Sequence, residues 1–193
     1  MPRNHMTDRS LRAIKTRKKL YQSAAKLIKK HGYDKVTIED ICKKANVSVG
    51  AFYHYFSSKS DIILEFFKQI DYYYEDTVET EYSGNASEDI DIYFRYYALF
   101  HVDQGIEHTS MILRIQSDFF IDKTRYMYVK LKDIIEAAKD EGVFDKEADN
   151  DLIADFLLVV ARGLLFDWAL TKGGHDLAAK MDVYIKLAKL SFR

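Results

Sequence analysis

Residues 37–59, TIEDICKKANVSVGAFYHYFSSK, decide how this 193-residue chain is read. Thr37 is followed three residues on by Asp40, and Ser58 by Asp61. Each pair is a capping-box pattern, in which a side chain at a helix start satisfies amide donors that have no partner inside the helix. Ser48 is a third candidate cap. The spacing predicts two short helices, 38–44 and 48–55, joined by Ala45, Asn46 and Val47, a connection of the length a helix-turn-helix uses. Ile41, Ala45, Val47 and Phe52 are the apolar positions that lock such a pair at a steep angle. Val49, Gly50, Ala51, Tyr53, His54 and Tyr55 then remain outward on the second helix. Small residues at its start let the backbone approach base edges in a major groove, and Val49 or Ala51 suits contact with a thymine methyl.

Charge points the same way. Residues 1–60 hold 14 Lys or Arg against 4 Asp or Glu, a balance of +10, whereas residues 61–193 hold 15 against 26, a balance of −11. The formal total of −1 conceals two oppositely charged regions. Counterion release draws a nucleic acid to the first and the second repels it. A basic run, Arg12, Lys15, Arg17, Lys18 and Lys19, adjoins the helix pair. As an isolated run it reads as one solvated helix face; beside a helix-turn-helix it reads as part of an electrostatic footprint.

The stretch VSVGAFYHYFSSKSDIILEF, residues 47–66, resembles the signature of the tetracycline-repressor (TetR) family of transcriptional regulators. The shared features are a small-residue helix start, an aromatic pair, Tyr-x-x-Phe, and a lysine just before the next helix. The resemblance runs from Lys19 to Phe67, about a quarter of the chain. It implies that Val49, Gly50 and Ala51 face bases, that Tyr53, His54 and Tyr55 meet bases or backbone, and that Thr37 and Lys59 hold phosphates; Ser48 is counted with them among the DNA-binding residues. It also implies a small-molecule effector held in the larger part of the chain. One departure stands out: the second helix carries no Arg, Asn or Gln, the usual bidentate base readers. That puts more weight on shape, phosphates and residues outside this helix.

The remaining sequence reads as all-α. The only proline is Pro2, no segment alternates with strand period, and Gly32, Gly84, Gly142, Gly173 and Gly174 fall where helices should end. Residues 1–5 are expected to be a cloning remnant ahead of a native start at Met6 and are left out of fold reasoning. Helices are expected at 10–31, after Ser58, and at 87–103, 110–115, 118–141, 147–171 and 176–192. The expected organisation is an N-terminal three-helix helix-turn-helix DNA-binding domain, 1–57, joined to a larger helical ligand-binding and dimerisation domain, 58–193.

Of the 27 aromatic residues, 15 lie between Phe66 and Tyr128. Ile90, Tyr93, Phe94, Tyr97 and His101 share one helix face. Such residues either fill a core or line a cavity, and buried phenols need partners that a ligand or water supplies. Phe67, Tyr74, Phe94, Tyr97, His101, Met111, Phe119, Phe120 and Trp168 are therefore the candidate effector contacts. The effector itself is expected to be aromatic or lipophilic, with Asp118 and Asp167 available to a cationic one. Near the C-terminus, apolar residues recur at helical spacing. Ile153, Phe156, Leu157, Val160 and Leu164 form one stripe, and Met181, Tyr184 and Ile185 belong to another. Both are candidates for pairing two subunits into a four-helix bundle, with Gly163 permitting close approach. A dimer also suits DNA geometry, since two recognition helices about 34 Å apart meet successive major grooves of a palindrome.

Other classes fit less well. The apolar run 152–170 contains Asp155, Arg162 and Asp167, each costing about 2.5–3.5 kcal/mol near a bilayer centre. With no signal-peptide pattern, a cytoplasmic location is expected. Cys42 is the lone cysteine, so no intramolecular disulfide forms. The spacing of His101, Asp103 and His108 matches no common metal motif, no phosphate loop or nucleophile elbow is present, and no enzyme activity, cofactor or metal is expected. The function expected is a dimeric repressor that binds a palindromic operator and is released by a small molecule. An effector-independent architectural protein or an activator remains the alternative.

Overall fold

The computed structural model describes residues 8–113 and 121–193. Among the described residues there are nine α-helices and no strand. They are α1 Asp8–His31, α2 Ile38–Ala45, α3 Val49–Tyr55, α4 Lys59–Asp76, α5 Ala86–Gln104, α6 Ile106–Ile112, α7 Tyr126–Asp140, α8 Asn150–Leu170 and α9 Leu177–Lys189. Single 3-10 turns follow α4 and α9.

The chain divides into two compact units, Met1–Phe66 and Phe67–Arg193. The division falls inside α4 and not at its start, where the sequence reading placed it. The physical reason lies in the first two turns of α4, which serve the first unit. Ile62 is fully buried, the Arg17 Nε donates to Glu65 at 2.8 Å, and the Lys59 ammonium reaches the carbonyls of Tyr33 and Val36.

In the first unit, α1 buries Leu20, Ala24 and Ile28 at successive four-residue steps, together with Tyr21. That single face leaves Arg12, Lys15, Lys18 and Lys19 exposed. Gly32, at φ 81°, ends the helix, and its N–H donates to the Ile28 carbonyl at 2.8 Å. A side chain is strained in that left-handed conformation, which is why glycine stands there.

In the second unit, α5 packs on α6, α7 and α9, and α8 packs on α6, α7 and α9. Polar ties fix the helix ends. The Glu141 carboxylate, just after α7, accepts the Ala86 N–H that opens α5 at 3.0 Å. Lys189 is buried at the end of α9, where its ammonium meets Asp91 at 2.7 Å, the Ser87 carbonyl at 2.8 Å and the Ser87 hydroxyl at 3.2 Å. A buried ammonium is tolerated only with its donors occupied in this way.

Two helices start elsewhere than the sequence predicts. Instead of occupying 110–115, α6 opens at Ile106, because Gly105 both ends α5 and accepts the Thr109 N–H of the next helix at 3.1 Å. The start of α7 is Tyr126 because the Asp122 carboxylate draws the Thr124 N–H and hydroxyl into a turn, at 2.9 and 2.6 Å.

Candidate functional site

The predicted helix-turn-helix forms through local hydrogen bonds at the predicted caps. Asp40 N–H donates to Thr37 Oγ1 at 3.1 Å, and Asp40 Oδ2 accepts the Thr37 N–H at 3.0 Å and its hydroxyl at 2.9 Å. The backbone hydrogen bond from Thr37, followed by its side-chain bond, holds the Asp40 carboxyl below the usual carboxylate range. Asn46 adopts the left-handed conformation, φ 51° and ψ 53°, and closes α2 while the Val47 N–H reaches the Cys42 carbonyl at 3.0 Å. Ser48 then caps α3 by accepting the Ala51 N–H at 3.0 Å. Ser58 exchanges bonds with Asp61 at 2.8 and 3.1 Å, and its hydroxyl is the main reason the Asp61 carboxyl also titrates low.

Ile41, Ala45 and Phe52 lock the pair and are wholly buried, whereas Val47 is only half-buried. Phe52 is the one buried side chain of α3. At 100° per residue, Gly50 and His54 are each turned about 160° from Phe52 and form the outer crest, with Ala51 and Tyr53 on its flanks. Val49 and Tyr55 lie about 60° from Phe52, nearer the core. Gly50, Tyr53 and His54 are exposed, Ala51 and Tyr55 half-buried, and Val49 sits at 37% exposure. The Tyr53 ring stands edge-on to Phe52, centroids 5.5 Å apart, which limits where its hydroxyl can reach.

Two residues expected to hold phosphates have structural partners. The Thr37 hydroxyl is engaged by Asp40, whose carboxylate already occupies the anion-favouring start of α2. Lys59 stands at the start of α4, where the helix dipole disfavours a cation, and is held by other means. Its ammonium donates to the Tyr33 and Val36 carbonyls, both at 2.9 Å, and lies 4.1 Å from the centre of the Tyr33 ring. Cys42 is buried, and burial raises its thiol pKa, so it behaves as a core residue.

Among the candidate effector contacts in the second unit, Tyr74, Phe94, Tyr97, His101, Met111 and Trp168 are all buried. The side chain of Phe67, together with Asp118, Phe119 and Phe120, lies outside the described residues. The idea that buried phenols here await a ligand does not hold for two of them. The Tyr74 hydroxyl donates to the Tyr93 carbonyl at 2.6 Å, and the Tyr93 hydroxyl to the Met127 carbonyl at 2.9 Å. His101 Nδ1 lies 3.2 Å from Thr109 Oγ1, and burial, with the charge of His108 second, pushes its pKa down to about 3. Asp167 is taken by Lys180 at 2.6 Å, so it is not a spare carboxylate for a cationic effector. Sequence reasoning missed an inner ion pair: Arg125 meets Asp71 at 3.0 Å, and Asp71 also accepts the Met127 N–H at 3.3 Å. No spacing rule pairs residues 54 apart. Among the described residues, no group of His, Cys, Asp and Glu is placed to hold a metal.

Burial divides the residues of the candidate association stripe between two sides. Ile153, Leu157, Leu164, Met181 and Ile185 are inside their own subunit, and Val160 is half-buried. Phe156 and Tyr184 are exposed, and with them Leu152, Val159, Phe166 and Leu170 on α8 and Val183 and Leu187 on α9. The outer residues of α8, with Gly163 among them, recur at steps of four and three, the period of a helix-pairing seam. Of the residues first named, Phe156 and Tyr184 lie on this outer side, and Ile153, Leu157, Leu164, Met181 and Ile185 on the inner one. Among the described residues, no helix is long and apolar enough to cross a membrane.

A capped helix pair presenting a largely exposed second helix, in a basic unit, defines a helix-turn-helix DNA-binding regulator. Residues 20–66 match the family model described as bacterial regulatory proteins, tetR family. An Escherichia coli (strain K12) protein named "Probable acrEF/envCD operon repressor" is 23% identical over 181 residues, covering 86% of this chain and 81% of that protein. FadR from Bacillus subtilis, solved in complex with stearoyl-CoA, superposes with a TM-score of 0.74 at 19% identity, over 91% of this chain and 99% of that one. Thermus thermophilus FadR, a TetR-family repressor solved with lauroyl-CoA, gives 0.67 at 20% identity, over 89% and 92%. Over residues 20–66 the chain is similar to the tetR family of bacterial regulatory proteins, and over most of its length it shares the fold of the FadR structures.

Proposed function

We propose that this regulator is a homodimeric repressor, and not an enzyme, that binds a palindromic operator through α3 and releases it when a lipophilic small molecule occupies the second unit. A cytoplasmic location goes with that reading. The observation that carries it is the presentation of α3: one buried anchor, Phe52, holds a helix whose other side chains are exposed or half-exposed within a strongly basic unit. Pairing is supported by the outer face of α8 and α9, since a continuous apolar strip of this length left in water marks an association surface. Effector release is supported by the aromatic interior and by the two FadR structures, which hold long-chain acyl thioesters. An acyl chain is the first effector class to test.

The switch is a population shift. An effector that prefers the state less fitted to the operator weakens DNA binding by its differential affinity, typically about 5- to 150-fold. We expect α4, whose residues belong to both units, to carry that shift. The test measures binding to DNA from the protein's own upstream region against random DNA at fixed salt, with and without stearoyl-CoA or lauroyl-CoA. Preference for the upstream DNA, lost on adding a thioester, is expected. A thioester that raises Tm yet leaves operator affinity unchanged removes the release step. If no lipophilic compound alters Tm or affinity, the effector-independent alternative takes its place.

A further inference from the structure

We infer that Arg17 is a positioning residue for operator recognition: its guanidinium, lodged between the Glu65 carboxylate of α4 and the Phe56 ring that closes α3, fixes how α3 is turned toward DNA, and it holds no phosphate of its own. The inference rests on the chain being a sequence-specific operator binder. In the sequence Arg17 belongs to the basic run of α1, with Arg12, Lys15, Lys18 and Lys19. The structure sets it apart from them. Its Nε donates to Glu65 Oε2 at 2.8 Å, and its guanidinium carbon lies over the Phe56 ring, 5.3 Å from the centre. One side chain of α1 thus touches both the residue that ends α3 and the helix that follows it.

The first support is electrostatic. The Glu65 side chain is 9% exposed and that of Arg17 40%. A carboxylate taken out of water needs a partner, and removing that partner leaves an uncompensated charge inside the protein. Arg17 is therefore committed to Glu65 before DNA arrives. The pair carries no net charge, so it adds little to the attraction for phosphates, unlike the exposed cations of the same run.

The second support is mechanical. Because α3 buries one side chain of its own, Phe52, its orientation depends on that anchor and on its caps. The closing cap is Phe56, which is 3% exposed; its N–H donates to the Phe52 carbonyl at 2.9 Å, and the two rings stand 5.6 Å apart. Arg17 covers the Phe56 ring and is tied in turn to α4, so a line of contacts runs from Glu65 through Arg17 and Phe56 to the anchor. A displaced cap rolls the helix. A roll of about 10° moves the far side of α3, about 10 Å away, by roughly 2 Å, enough to take a contact out of hydrogen-bond range. Lysine does not serve here, because a compact ammonium lacks the planar fork that reaches the carboxylate from one edge while its face lies on a ring.

The test uses the full-length protein to enrich a preferred duplex from a random pool. Variants are then compared on that duplex and on random duplex over a range of salt, at a temperature where circular dichroism shows each of them folded. Arg17→Met removes the charge and Arg17→Lys keeps it. Both are expected to weaken the enriched duplex about tenfold, the cost of about one mismatched base pair, while random duplex binding stays within about twofold and the slope of log affinity against log salt is unchanged. Phe56→Leu, at a site too buried to touch DNA, should show the same selective loss, and it reads the brace even where an Arg17 variant fails to fold. Combined with Arg17→Lys, it should lose much less than the product of the two single losses. A salt slope that falls by about 0.9 in Arg17→Met, equally on both duplexes, and is restored in Arg17→Lys makes Arg17 a phosphate contact and overturns the inference. A lower Tm with both affinities unchanged overturns it as well, since the pair is then structural only. In either case the operator-binding reading stands, whereas a pool from which no sequence is enriched overturns both.

Discussion

The helices α3 and α8 solve opposite problems. Seven residues long, α3 buries one side chain, while α8 has 21 residues and buries eight; α3 therefore hangs on a single anchor, whereas α8 is held along its length. The outer side of α3 is small, aromatic and polar, while that of α8 is as apolar as its inner side, with Val159 at 60% and Leu170 at 66% exposure. A helix with one anchor is fully specified by its caps and that anchor, and the rest of its surface is free for recognition. A helix apolar on two sides needs a second partner to cover what its own subunit leaves bare.

The largest expected effect tests the single anchor. Phe52→Ala should cost about 3–5 kcal/mol of stability in the first unit and abolish DNA binding, read by thermal unfolding and a binding isotherm. A cost below about 1 kcal/mol would mean that the Thr37 and Ser48 caps hold α3 unaided. The matching test on α8 is Val159→Asp, which puts a charge on the outer side without touching the core. Self-association should weaken by about two orders of magnitude, and sedimentation should report monomer. If the mass is that of a dimer, subunits pair elsewhere. Ile153→Asp, by contrast, should unfold the second unit, because Ile153 is wholly buried.

The contrast also explains what could be read from the chain. Thr37 with Asp40, Ser48, and Ser58 with Asp61 form the predicted caps because a cap depends on residues within one turn, which spacing displays. Phe52 was legible for the same reason: α3 has a single large apolar side chain that its aromatic neighbours do not match in position. The face of α8 was legible only in part, since the stripe read from spacing mixed Phe156 of the outer side with Ile153, Leu157 and Leu164 of the inner one. Leu152, Phe156, Val159, Phe166 and Leu170 have helical spacing as good as that of Ile153, Leu157 and Leu164, and periodicity cannot say which of two apolar sides turns inward. The partners of Tyr74 and Tyr93 are backbone carbonyls of Tyr93 and Met127, and a carbonyl carries no sequence signal.

A third measurement contrasts the interior of the second unit with the exposed crest of α3. Folded, His101 takes up a proton only near pH 3, because its ring is buried, whereas in the unfolded chain it does so near 6.5. Between those values the unfolded state binds more protons, so its share of the stability is present above pH 6.5 and is lost as pH falls toward 3. The folding constant should drop by at most about tenfold per pH unit from this group. His101→Asn, compared with the parent by urea unfolding from pH 7 to 5, should flatten the dependence. An unchanged slope would place the acid sensitivity elsewhere.

The smallest effect concerns Lys59, where the two demands of anchoring and recognition meet on one side chain. Its ammonium has three N–H donors, and two are committed to the carbonyls of Tyr33 and Val36, so at most one is left for a phosphate. Replacing it by methionine keeps the stem and removes the charge. If the remaining donor meets DNA, the slope of log affinity against log salt should fall by about 0.9 per site, equally for operator and random duplex, alongside a stability loss of about 1–2 kcal/mol from the two freed carbonyls. If the lysine is only a tether, Tm falls and the salt slope stays as it was. The second result would give the first unit one more purely internal contact, and would leave Arg12, Lys15, Lys18 and Lys19 on α1 to supply the phosphate contacts that Thr37 and Lys59 do not.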